Sequence, residues 1–335
     1  MNRPDTVRTV RIAGPGALEL TEVPRPVLGV GELRARVEAC GICGSDGMFA
    51  GLGRIPATTP FGHEVVAEVV ETGPGTDPQW QGRRAVLLPF GSCGTCVQCR
   101  QGEETRCTGG FGNYAAGFAD EVVVQAAAVP DWCVVPDGVS STAASLLEPL
   151  AVAVRAVHKS EVLREERSLP VQVAGAGPIG LLVAYVLLRF GFSRVTVVER
   201  NEGKTSLLRE LLPGARILTS LPEEPVHCLF ECAGAQPVLD HAVTQGVERG
   251  GRICLVAAYK AAPTLDALQF MARELTMIGS FSATLADAES ASRILFAEAD
   301  VLQSLVTDTV PLEDVQGAFD RLRAGGLLGK CVVRP

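Results

Sequence analysis

The chain has 335 residues, 47% of them apolar, and a formal net charge of −8. That is enough apolar material for a large buried core in two domains, while the acidic balance and the lack of any Lys/Arg-rich run exclude the electrostatic footprint of a nucleic-acid-binding or membrane-surface protein. Eleven cysteines, an odd number, fit a reducing compartment better than a disulfide framework. The N-terminal segment carries no apolar leader core, and the longest apolar stretch, Ile179 to Leu188, is too short to span a bilayer; a cytoplasmic protein is the expectation.

Residues 1–150 are rich in Gly and Pro and carry short β-branched runs, Glu64 to Glu71, Arg84 to Leu88 and Glu121 to Gln125, which read as strands separated by turns. Between the last two lies Cys93-Gly-Thr-Cys96-Val-Gln-Cys99-Arg-Gln-Gly-Glu-Glu-Thr-Arg-Cys107. The spacing C-x2-C-x2-C-x7-C suits four thiolates closing on one tetrahedral zinc, with Gly94 and Gly102 easing the bends. Iron–sulfur ligation uses other spacings. Cys40, Cys133, Cys228, Cys232, Cys254 and Cys331 sit among apolar neighbours and read as small core residues.

From Ala151 the rhythm changes to helices alternating with buried apolar strands. A helix runs through His158, followed by the strand Val171 to Ala174, a helix from Ile179 and the strand Val195 to Val198. Strands at Cys228 to Glu231, Arg252 to Val256 and Leu275 to Ile278 follow. This alternation predicts a parallel sheet covered on both faces. Beyond Gly279 come a helix over Asp287 to Glu298, a strand Val306 to Val310, a helix from Leu312 and a last strand, Lys330 to Val333.

The segment VQVAGAGPIG sets Gly175, Gly177 and Gly180 between a strand and an apolar helix whose mouth holds Pro178 and Ile179. Here Gly175 permits a tight turn, Gly177 close approach of a pyrophosphate and Gly180 helix–strand packing, while the helix N-terminus offers unpaired N–H groups. Glu199 ends the next strand, where a carboxylate accepts hydrogen bonds from ribose hydroxyls and repels a 2′-phosphate. NAD is therefore expected over NADP. The neighbouring Arg200 supplies a guanidinium that could instead hold that phosphate.

Three further segments, Gly41-Ile42-Cys43-Gly44-Ser45-Asp46, Gly62-His63-Glu64 and Glu148-Pro149-Leu150, complete a pattern. With them the chain resembles the medium-chain dehydrogenase/reductase family, in its zinc-dependent alcohol and polyol (sorbitol dehydrogenase-like) branch, over essentially its whole length. The resemblance implies an α/β fold: a GroES-like, β-rich catalytic domain over 1–150 with a structural zinc lobe at about 89–110, a Rossmann doubly wound parallel-sheet domain over 151–281, and a return to the catalytic domain over 282–335. It implies Cys43 and His63 as ligands of a catalytic zinc, with Glu148 or Glu64 as the third. A thiolate, an imidazole and a carboxylate leave one position open, the mark of a catalytic rather than a structural zinc. By the same resemblance Asp46 orients the imidazole and Ser45 is the proton-relay hydroxyl. At Met48, where many members have a histidine, the outer relay is interrupted, since a thioether does not pass a proton.

Phe49, Phe90 and Phe111 are candidate pocket walls, and Arg273-Glu274 resembles a pair that polyol dehydrogenases carry near the substrate. The expected activity is hydride transfer between a secondary alcohol and NAD, with two zinc ions per chain and a homodimeric or homotetrameric assembly. No nucleic-acid or membrane partner is expected. A biosynthetic reductase of an activated carbonyl or C=N group is the neighbouring reading. A non-catalytic scaffold is disfavoured by the presence of Cys43, Ser45 and His63.

Overall fold

The computed structural model describes residues 5–46, 61–109 and 116–335; Met48, Phe49 and Phe111 lie outside them. The chain divides into two compact units, Met1–Glu148 with Thr284–Pro335, and Pro149–Ala283.

The first unit opens with an antiparallel hairpin of β1 (Thr6–Gly14) and β2 (Ala17–Pro24). Its turn needs Gly16, whose φ of +74° is costly for any residue with a Cβ. Strand β3 (Glu32–Gly41) follows the alternating rule, with Leu33, Ala35, Val37 and Ala39 buried. Around it form β4 (Glu64–Thr72), β5 (Arg84–Leu87) and β6 (Glu121–Gln125). After the second unit the chain returns as β13 (Val306–Val310) and β14 (Lys330–Val333).

The sheet order is β13-β14-β3-β4-β5, with β6 also paired to β3. The register decides what meets at the end of β3. Gly41 lies opposite both Glu64 of β4 and Val332 of β14, so the segments bearing Cys43, His63 and Lys330 converge from three strands. Phe61, Phe118 and Phe319 pack edge-on in the core, with Phe118 centroids 5.1 Å and 5.9 Å from the other two rings.

The second unit is a six-stranded sheet built from β7 (Val171–Ala174), β8 (Val195–Val198), β9 (Arg216–Leu218), β10 (Val226–Glu231), β11 (Val247–Leu255) and β12 (Thr276–Gly279). All neighbours are parallel and the order is β12-β11-β10-β7-β8-β9. Read from β9, this is the doubly wound arrangement whose strand order reverses between β7 and β10. Ligands of such sheets bind outside the carboxyl ends of the strands at that reversal. The central strand β7 is buried at every position, as a strand covered on both faces must be.

Several boundaries move from the sequence expectation. Strand β11 starts at Val247 rather than Arg252, because a register irregularity with Gly250 at φ +76° hides its first half from a search for continuous apolar runs. The short β9 was not foreseen. The helix expected over 287–298 spans Leu285–Ala297, since Thr284 and Asp287 form a reciprocal capping box that starts it earlier. Strand β12 sits one residue later than expected. Among the described residues no helix is long and apolar enough to cross a membrane.

Candidate active site

The four lobe cysteines, Cys93, Cys96, Cys99 and Cys107, bring their sulfurs within 4.8 Å of one another. The local fold follows from the spacing. Gly94 and Gly102 take φ of +68° and +74° at the two bends, and Cys96 caps the single helical turn Val97–Arg100. Backbone N–H groups of Cys96, Cys99 and Cys93 donate to the sulfurs of Cys93, Cys96 and Cys107 at 3.4, 3.5 and 3.3 Å. Such donors favour thiolates. Hydrogen bonding from Thr95 leads the set that pulls Cys93 down to about 5, and the Cys99 amide leads the set that brings Cys96 to about 7. The chemistry of this donor set suits a closed zinc site.

The second cluster joins Cys43 beyond β3 to His63 and Glu64 at the start of β4; one ligand atom from each lies within 4.8 Å of the others. Gly44 to Asp46 are helical, and Asp46 does two things there. Its Oδ2 accepts the Cys43 N–H at 3.4 Å, closing the helix start. Its Oδ1 lies 3.0 Å from His63 Nδ1, which fixes the orientation of the ring. Burial opposes a charged imidazole, yet the Asp46 carboxylate outweighs it and holds the His63 pKa well above its ordinary value. Ser45 Oγ donates to Cys43 Sγ at 3.2 Å.

Glu64 is fully buried and its carboxylate is crowded against β3. A Cβ on Gly41 would stand 1.8 Å from Glu64 Oε2 and 2.9 Å from Lys330 Cε, so any side chain there would have to displace this buried pair. One carboxylate oxygen accepts from Lys330 Nζ, and the other, Oε2, is buried without a hydrogen-bond partner. Glu148, in the first turn of the helix Leu147–Lys159, is buried nearby, and burial first of all pushes its carboxyl up to about 7. For Lys330, burial alone would lower the pKa, but Glu64 and Cys43 raise it further, so the ammonium persists. The cluster thus holds three buried carboxylates, Asp46, Glu64 and Glu148, and a thiol. That excess of anionic donors and the orphaned Glu64 oxygen fit a divalent cation. The structure gathers Glu64 with Cys43 and His63, whereas Glu148 stands beside that set. Lys330 was not singled out in the sequence, although a lysine inside an apolar terminal strand was the available signal.

In the second unit Gly175 and Gly180 meet the steric demands expected of them. Gly175 has φ +94°, and a Cβ there would meet Ala233 backbone atoms at 2.8 Å, across the strand reversal. A Cβ on Gly180 would stand 1.9 Å from the Gly175 carbonyl oxygen. Gly177 has no protein atom within 4 Å of such a Cβ, which is open space at the N-cap of the helix Pro178–Arg189. Pro178 takes the first helical position and Ile179 is half-buried. Glu199 accepts from the N–H groups of Ala176 and Asn201 at 3.0 and 2.9 Å.

Arg200 is exposed. The cation beside the acid is Lys204, its Nζ 3.7 Å from Glu199 Oε2, brought back by the turn Glu202–Lys204. Arg273 donates to the carbonyls of Val243 and Val247, where it stitches the sheet unit's own backbone. Phe90 is buried.

Residues 29–136 match the model of the alcohol dehydrogenase GroES-like domain, and residues 141–324 match that of the glucose dehydrogenase C-terminus. The chain belongs to the medium-chain dehydrogenase/reductase family. Within it the chain falls in the zinc-dependent alcohol and polyol dehydrogenase branch, with the GroES-like and Rossmann halves that its sequence implied. It is 29% identical over 310 residues to a 2-dehydro-3-deoxy-L-galactonate 5-dehydrogenase of Pseudoalteromonas atlantica, covering 86% of this chain and 87% of that one. It is 26% identical to an L-threonine 3-dehydrogenase of Yersinia pestis, covering 91% and 93%. Among solved structures, acetophenone reductase from Geotrichum candidum in complex with NAD superposes with a TM-score of 0.85 at 22% identity, covering 100% of this chain and 99% of that one.

Proposed function

We propose that this dehydrogenase oxidises the secondary hydroxyl of a polyol, cyclitol or sugar-like substrate with NAD, forming the carbonyl product, NADH and a proton. The observation that carries the reading is the convergence of Cys43, His63 and Glu64 at the end of β3, with Asp46 behind the imidazole. Cys43, His63 and one of Glu64 and Glu148 would hold a zinc ion, which supplies Lewis-acid polarisation of the substrate oxygen. Asp46 keeps His63 in the tautomer that presents Nε2. Ser45, two residues from Cys43, would relay the hydroxyl proton, taking it up as it passes its own to water or a cofactor ribose hydroxyl. Lys330 neutralises one oxygen of Glu64, and so restrains the net negative charge that would otherwise oppose loss of that proton. The four lobe thiolates would hold a second, structural zinc.

On the cofactor side, Gly177 leaves room for a pyrophosphate at a helix N-terminus, and Glu199 would receive the adenosine ribose diol. The Pseudoalteromonas and Yersinia relatives are named as dehydrogenases of polar hydroxy compounds, a sugar acid and an amino acid, which supports a hydrophilic substrate. Oxidation of a panel of polyols, cyclitols, sugar acids and simple alcohols, followed as NADH formation, tests the reading; failure with every polar secondary alcohol would remove it.

Glu199→Ala should lower kcat/KM for NAD by about tenfold or more, because it deletes a charge-assisted acceptor. Lys204 then stands without its counter-charge, so the ratio of NADP to NAD efficiency should rise by at least as much. Equal use of both cofactors by the unsubstituted enzyme would show that the carboxylate does not set the preference.

A homodimeric or homotetrameric state fits the sheet, whose edge strand β12 has, among the described residues, an open side flanked by Leu268, Met271 and Phe281, each more than 60% exposed. A cytoplasmic location fits eleven cysteines that are all free thiols.

A further inference from the structure

In the first unit a cavity of about 190 Å³ lies between the β1–β2 hairpin and β6, and none of its lining residues belongs to the Cys43 cluster or the lobe. Alternate residues of β1, Val7, Thr9 and Arg11, form one wall, and Arg34 and Glu121 reach it from β3 and β6. A single water needs only about 10–15 Å³ of such space, so the cavity has room for a small molecule.

Two guanidinium nitrogens in this wall, Arg11 Nε and Arg34 Nη1, are buried and have no hydrogen-bond partner. Arg34 is only 5% exposed, and its other nitrogens are engaged: Nε donates to Glu71 at 3.1 Å and Nη2 to the Pro26 carbonyl at 2.6 Å. Glu121 holds Arg25 in a bidentate pair, and its Oε2 lies 3.6 Å from Arg34 Nη1, close enough for an ion pair but beyond hydrogen-bond distance. Among the described residues Arg11 has no ion-pair partner, so of the charged residues lining the cavity two are guanidinium groups, Arg11 and Arg34, and one, Glu121, is a carboxylate already paired to Arg25. Buried N–H groups are matched by acceptors in folded proteins, and a guanidinium fork matches an oxyanion best.

We propose that this cavity is a second binding site of the protein, taking a small oxyanion, a short carboxylate or inorganic phosphate, on Arg11 Nε and Arg34 Nη1. The site stands apart from the catalytic reading and does not depend on it. Calorimetric titration of the holoenzyme, saturated with NAD so that phosphate does not report on the glycine loop, uses phosphate and malonate in turn at constant ionic strength.

One saturable site with a dissociation constant on the order of 1 mM is expected, and the tighter of the two probes identifies the class of anion. Arg11→Gln should weaken it by about tenfold or more, with zinc content and NAD affinity unchanged. Arg11→Lys, which keeps the charge and loses the fork, should fall between. No saturable heat beyond a chloride control would mean that the cavity holds water only and would overturn the proposal. So would an Arg11→Gln protein that binds as the wild type does. Should that variant not fold, Arg11→Lys binding with undiminished affinity overturns it equally.

Discussion

Replacing Cys43 by alanine is expected to abolish alcohol oxidation, by about a thousandfold or more, and to reduce bound zinc from two ions per chain to one. The magnitude follows from losing a Lewis acid that contributes several kcal/mol to charge stabilisation, at about 1.4 kcal/mol per tenfold in rate. The fold should survive, because Cys43 lies beyond the end of β3 and outside the Phe61–Phe118–Phe319 core. Cys96→Ser gives the opposite profile. Structural zinc binding is coupled to folding, so that variant should lose thermal stability and lobe metal, while properly folded molecules still turn over. Metal analysis with melting curves and kinetics on both variants separates the two sites. If Cys43→Ala retained both ions and its activity, the proposed assignment of the catalytic metal would be wrong.

The second large effect is expected at Gly180. An alanine there puts a methyl group 1.9 Å from the Gly175 carbonyl oxygen and 3.1 Å from Cys232 Cβ. Backbone cannot swing aside as a long side chain can, so helix and strand must part. Overpacking of this kind costs about 1–3 kcal/mol and sometimes more. The displaced segment is also the proposed pyrophosphate loop, so affinity for NAD should fall by about a hundredfold or more, at about 1.4 kcal/mol per tenfold. Zinc content should stay unchanged, because neither cysteine cluster lies in this unit. Gly177→Ala makes the contrast: with no protein atom within 4 Å, it should leave stability nearly intact and weaken cofactor binding alone. Differential scanning calorimetry and NAD titration of the two variants check the pair.

These contrasts show which parts of the molecule were legible in sequence. The lobe was, because its four sulfurs lie on one short segment where spacing itself dictates closure. The glycine loop was also legible, because each glycine answers a separate steric demand within ten residues of chain. Cys43, His63 and Asp46 required the family pattern, since strand register rather than proximity in sequence unites them. Lys330 was legible only as a lysine in an apolar strand, and not as the partner of Glu64. It reaches Glu64 across 266 residues through the pairing of β14 with β3, and the linear chain carries no local sign of that pairing. Lys204 escaped for a smaller reason: a single 3₁₀ turn returns it to Glu199, while the adjacent Arg200 points outward. Arg273, which resembles a residue that polyol dehydrogenases carry near the substrate, donates to the carbonyls of Val243 and Val247.

This chain is expected to move a hydride from a carbinol carbon to a nicotinamide. The most direct test uses a polyol carrying deuterium on the carbon of its secondary hydroxyl, incubated with NAD and the zinc-loaded enzyme, with the reduced cofactor read by NMR. Deuterium is expected at C4 of the nicotinamide, on one face only, and none with Cys43→Ala. Reduced cofactor carrying only solvent protons, or no reduction with any polyol or related alcohol, would contradict it.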